Sequence, residues 1–183
     1  MKKQISIHIG EVYASQEPAV VRTILGSCVA VCLFDPAMRI GGMNHILLPG
    51  RADLTKFNVA ARYGINAMEL LINKIMGLGG HRDRLVAKVF GGAHLLPAIS
   101  KKNGTGEKNA AFAVEFLQNE DIRIFNKDVG GHASRKIYFH TDTGEVLLKR
   151  IGSQYQRNIF AKQELHARCI RKEADKAGKV TLF

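Results

Sequence analysis

The sequence predicts an α+β fold. Short runs of β-branched and aromatic residues outnumber helical stretches, turn residues link most of those runs as hairpins, and only two segments before residue 150 carry helical periodicity. Residues 19–34, ending in Val29-Ala30-Val31-Cys32-Leu33-Phe34, read as one buried strand that stops at the turn opener Asp35-Pro36. Met43 to Leu48 reads as a second strand, ended by Pro49-Gly50, and the pair forms a predicted hairpin. Val59, Tyr63, Ile65, Met68, Leu71, Ile72, Ile75 and Met76 recur every three to four residues, and Gly77, Gly79 and Gly80 supply a helix stop. Leu85 to Phe90 is a strand running into Gly91-Gly92. A second helix over residues 107–118 follows a loop with Gly104 and Gly106. Ile122 to Phe125, Ile137 to His140 and Glu145 to Lys149 complete the strands, the last two joined through Thr141-Asp142-Thr143-Gly144.

With 183 residues, 46% of them hydrophobic, the chain is expected to form one compact domain over residues 1–152. Beyond Ser153 the composition turns to Gln, Arg, Lys and Glu, so residues 153–183 are expected to form a basic helical extension ending in Val180-Thr181-Leu182-Phe183. That last peptide reads either as a docking strand or as a cover for apolar surface. The net charge is +11, and it is distributed along the whole chain. Such a field favours anionic partners without choosing among them. Three cysteines, Cys28, Cys32 and Cys169, are too few and of the wrong parity for a disulfide framework. The start lacks the apolar run of a secretory signal and no 18 apolar residues run together, so a cytoplasmic protein without membrane insertion is expected. With no extended coiled coil evident, a monomer is expected.

The chemistry is concentrated in the first hairpin. If it turns on Asp35 to Met38, with Phe34 opposite Arg39, paired positions sum to 73 and Cys28 falls opposite His45. Opposed residues have Cβ atoms about 4.5–5.5 Å apart on one face, close enough for a sulfur and an imidazole to meet. A one-residue slip would separate them. An imidazole can take the thiol proton and make cysteine a competent acyl acceptor. Gly26-Ser27 lets backbone N–H groups approach a substrate carbonyl, and the N–H of Cys28 is itself a candidate oxyanion donor. Thr23 and Asn44 are the candidates to orient the imidazole. The alternative reading makes Cys28 a small buried hydrophobe and His45 a satisfied core histidine; Cys32 and Cys169 are read as structural or incidental.

The remaining six histidines are scattered without Cys-x-x-Cys, His-Glu-x-x-His or a carboxylate at ligand spacing, so neither a metal nor another cofactor is expected. Gly91-Gly92 and Gly130-Gly131 match neither a phosphate loop nor a dinucleotide fingerprint. They read as turns or pocket walls.

Leu25-Gly26-Ser27-Cys28-Val29-Ala30-Val31-Cys32-Leu33-Phe34-Asp35, followed by Gly41-Gly42-Met43-Asn44-His45 and Leu48-Pro49, resembles the signature of the CheD family of chemoreceptor glutamine deamidases. The resemblance continues through Tyr63 to Glu69, Ala87 to Ala93, Asn109-Ala110 with Phe112 and Phe116-Leu117, Asp128 to Gly131, Arg135-Lys136, Thr143-Gly144 and Lys149-Arg150. It covers roughly residues 8–151. The resemblance implies a mixed β-sandwich flanked by helices, similar to the deamidase domain of cytotoxic necrotizing factors. It also implies hydrolysis of glutamine side-chain amides on methyl-accepting chemotaxis receptors, with release of ammonia. By the same resemblance Cys28 is the nucleophile, His45 the general base and Thr23 the third catalytic position. A secondary methylesterase activity stays open. So does a different function class, a regulatory binding module acting on a CheC-type response-regulator phosphatase. Nucleic-acid binding is motivated by the charge alone, and no recognised binding motif supports it.

Overall fold

The computed structural model describes residues 1–48, 50–94 and 104–152, together with positions 158, 161, 165, 168, 169 and 172. Two sheets stack and a helical layer covers one of them. The four-stranded sheet has the order β1(Lys3–Ser6), β3(Ala19–Leu25), β8(Ser134–His140), β9(Val146–Ile151). The five-stranded sheet has the order β2(Val12–Ser15), β5(Ile40–Asn44), β4(Val29–Asp35), β6(Val86–Gly91), β7(Arg123–Val129). Helix α1(Val59–Gly77) packs over β2 and β5, and α2(Thr105–Asn119) packs over β4, β6 and β7. The α+β architecture is as the sequence indicates.

Strand alternation divides the interior into two layers. Along β4, Val29, Val31 and Leu33 face the helices and join Met68, Leu71, Ile72, Ile75, Phe112 and Phe116. Cys28, Ala30 and Cys32 face the other way, into the inter-sheet layer with Val21, Leu25, Met43, Leu47, Ile137 and Phe139. α1 starts where Asn58 accepts a hydrogen bond from Ala61 N and ends where Gly80 N reaches back to Ile75 O.

Three expectations are corrected. Residues 19–34 are two strands: β3 and β4 lie in different sheets, and Gly26-Ser27-Cys28 carries the chain between them. Paired positions in the first hairpin sum to 75, with Phe34 opposite Gly41, so Pro36 to Arg39 form the turn and Arg39 takes the left-handed conformation there. Consecutive strands pair as hairpins only at β4–β5 and β8–β9 among the described residues; β1 with β3 and β6 with β7 are parallel. The short strands β1 and β2 add to those read from sequence. In the extension the described positions are helical and exposed, and the terminal Val180-Thr181-Leu182-Phe183 lies outside the described residues.

Candidate active site

Cys28 sits where the chain has just left one sheet and enters the other. An isolated bridge pairs Val29 with Ile46 through Val29 N to Ile46 O at 2.9 Å and Ile46 N to Val29 O at 2.7 Å. Continued by one residue, that register places Cys28 opposite Leu47 and His45 opposite Ala30. Cys28 and His45 are therefore diagonal neighbours on one face rather than the directly opposed pair of the sequence reading. The register moved by two positions, which preserves the face. Both are buried, Cys28 at 0% and His45 at 4% exposure.

Thr23 reaches the same layer from the opposite sheet. Its Oγ1 lies 2.8 Å from His45 Nδ1 and also donates to the Ile7 carbonyl at 2.8 Å. A hydroxyl has one proton, and a carbonyl can only accept. With that proton committed to Ile7, the oxygen faces His45 as an acceptor, so Nδ1 carries the imidazole hydrogen and Nε2 the basic lone pair. The hydrogen is assigned by this network. Asn44 points into the other layer: its Oδ1 accepts from Val31 N at 3.0 Å and its Nδ2 donates to Ala67 O at 3.2 Å. It ties the hairpin to α1, and of the two candidate orienting residues Thr23 makes the contact.

Three successive carbonyls around the cysteine are each held by a donor. Gly26 O accepts from Ala93 N at 2.7 Å, Ser27 O from Asn109 Nδ2 at 2.8 Å and Cys28 O from Gly92 N at 2.7 Å. Gly91 and Gly92 both have positive φ, and a Cβ on Gly91 would stand 2.2 Å from Cys28 O. The glycine pair thus forms a wall of the site. Asn109, 1% exposed on α2, also accepts from Leu48 N at 3.0 Å and so connects the Cys28 loop to the segment after His45. In the sequence, Asn109 stands out only as part of a block that resembles the family. A polar residue in a helical pattern reads as solvent-facing unless its neighbours in space are known.

Burial pushes the Cys28 thiol well above its ordinary pKa, against a lowering by its own backbone N–H. That burial favours the neutral form of the thiol. Cys32 is raised by burial in the same way, while Cys169 is exposed. Among the described residues no cluster of three or more His, Cys, Asp or Glu side chains could hold a metal, and no helix is long and apolar enough to cross a membrane.

The family model for CheD chemotactic sensory transduction matches residues 47–150. The chain belongs to the CheD family. A Shewanella oneidensis relative, named a probable chemoreceptor glutamine deamidase CheD 1, is 41% identical over all of this chain and 88% of its own length. The CheD protein of Methylobacillus flagellatus is 41% identical over 95% of this chain and 86% of its own length. That of Rhizobium leguminosarum is 45% identical over 88% of both. Both carry the same name of probable chemoreceptor glutamine deamidase. These CheD matches extend the likeness through the segment that holds Cys28, Thr23 and His45.

Proposed function

We propose that this protein is a glutamine deamidase acting on methyl-accepting chemotaxis receptors through a thioester on Cys28. The observation that carries the reading is the Thr23–His45 contact, which fixes the imidazole tautomer that a general base on the Cys28 face requires. As Sγ attacks the glutamine Cδ, His45 Nε2 takes the thiol proton. The carbonyl oxygen becomes an oxyanion beside the N–H of Cys28. Collapse breaks the C–N bond, and the imidazolium gives its proton to the departing nitrogen, which leaves as ammonia. Water, losing a proton to Nε2, then attacks the thioester. The C–S bond breaks, the sulfur recovers a proton, and glutamate remains. Because burial favours the neutral thiol, its deprotonation belongs to the step of attack.

The test is mass spectrometry of a receptor signalling fragment incubated with wild-type protein and with Cys28→Ala, scoring glutamine-to-glutamate conversion. Conversion by the wild type alone is expected. Conversion by both would place the nucleophile elsewhere. The complete burial of Cys28 favours the second reading, a regulatory module for a CheC-type phosphatase. Conversion by neither, with Cys28 inert to iodoacetamide, would select it.

A further inference from the structure

We infer that Asn109 is a positioning residue that aims the N–H of Cys28 at the reacting carbonyl, making this one backbone group the oxyanion donor of the site. The inference rests on the deamidase reading and specifies which side chain prepares it. In a trans peptide the C=O and N–H of one unit point in opposite directions. Asn109 Nδ2 holds the Ser27 carbonyl at 2.8 Å, so the N–H of the same peptide, which belongs to Cys28, is turned away from α2. The flanking peptides are held too, through Gly26 O to Ala93 N and Cys28 O to Gly92 N, both 2.7 Å. The Ser27–Cys28 plane therefore has little freedom to rotate. The N–H so aimed belongs to the nucleophile's own residue, which puts the donor beside the sulfur, where an oxyanion formed by Sγ attack would develop.

The second half of the Asn109 amide supports the same assignment. Its Oδ1 accepts from Leu48 N at 3.0 Å, three residues beyond His45, so one planar group spans the nucleophile loop and the base-bearing segment. Asn109 is 1% exposed, and an amide so buried has both ends satisfied only in this orientation. The start of α2 is pinned beside it. A Cβ on Gly106 would meet Gly92 O at 2.4 Å, so the helix that brings Asn109 is seated on the wall that holds Cys28 O.

Asn109→Asp separates aim from scaffold. The near-isosteric carboxyl still accepts from Leu48 N, but once ionised it denies the Ser27 carbonyl its donor. Measured at a pH above that ionisation, which burial raises, deamidation kcat is expected to fall by about 10²–10³-fold, with KM changed by no more than about threefold. Alkylation of Cys28 by iodoacetamide, a displacement at carbon that develops no oxyanion, is expected to stay near the wild-type rate. A third readout is pH. The protonated carboxyl regains a donor, so the variant-to-wild-type ratio of kcat should climb as pH falls. Equal losses of deamidation and alkylation, or an unimpaired kcat in a folded variant, would overturn the assignment. Asn109→Ser is the second variant, and failure of both to fold would also overturn it, because the amide would then be holding the fold. A wild type that converts no glutamine would instead sink the deamidase reading itself.

Discussion

Replacing Thr23 by valine keeps the side-chain volume and removes the hydroxyl oxygen that meets His45 Nδ1. The buried N–H it leaves behind is expected to cost about 1–3 kcal/mol of stability in a urea titration. Turnover should fall by about 10- to 100-fold, a part of what a positioned base supplies. Thr23→Ser retains the hydroxyl and should recover most of the rate; equal kinetics for serine and valine would remove Thr23 from the site. The face shared by Cys28 and His45 was legible in the sequence because side chains in a strand alternate with period two, so a register error of two positions leaves the face intact. Asn109 was not legible. Its role depends on the Ser27 carbonyl, 82 residues away in sequence.

At the scale of elements, α1 and α2 approach closely at Gly64. A Cβ there would come within 2.4 Å of the buried Phe112 ring and 2.9 Å of Leu48 Cδ2. Gly64→Ala gains about 1 kcal/mol of helix propensity, and overpacking against the buried ring costs about 1–3 kcal/mol. Net destabilisation in denaturant is expected, and a stabilised variant would show that the ring yields. Asp35, at the end of β4, is the junction between the hairpin turn and the 3₁₀ turn at Arg82–Arg84. Burial opposes its charge, but Arg84 and the N–H groups of His81, Met38 and Ala37 outweigh that and bring the carboxyl down to about 2. The folded value lies below the unfolded one, so the stabilisation is complete above about pH 4 and is lost as pH falls toward 2; it amounts to about 2 kcal/mol. Asp35→Asn should flatten unfolding free energy over that window, and an unchanged slope would assign acid lability to other carboxylates. The two helices were legible from apolar spacing and glycine stops. β1 and β2 were not, since each has only four residues and Lys3-Gln4-Ile5-Ser6 offers a single apolar side chain. The change of sheet at Gly26-Ser27 was also hidden, because apolar residues continue on both sides of it.

Over the whole molecule, a charge of +11 sets the strength and sign of the field that a partner meets. Exposed charges are screened beyond about 8 Å at physiological ionic strength. If the protein is steered onto an acidic receptor surface, added salt should raise KM while leaving kcat nearly constant; a flat KM would confine recognition to short-range contacts. The charge balance suggested an anionic partner from composition alone, and the layer that brings Thr23 to His45 required three dimensions. The tautomer of His45 is set through Thr23 by the carbonyl oxygen of Ile7, an atom every amino acid possesses. Alanine scanning would pass over position 7 and register only the loss of a packed side chain. Truncating the first eight residues, or replacing the following amide by an ester that weakens the carbonyl as an acceptor, would instead reach the His45 imidazole through Thr23.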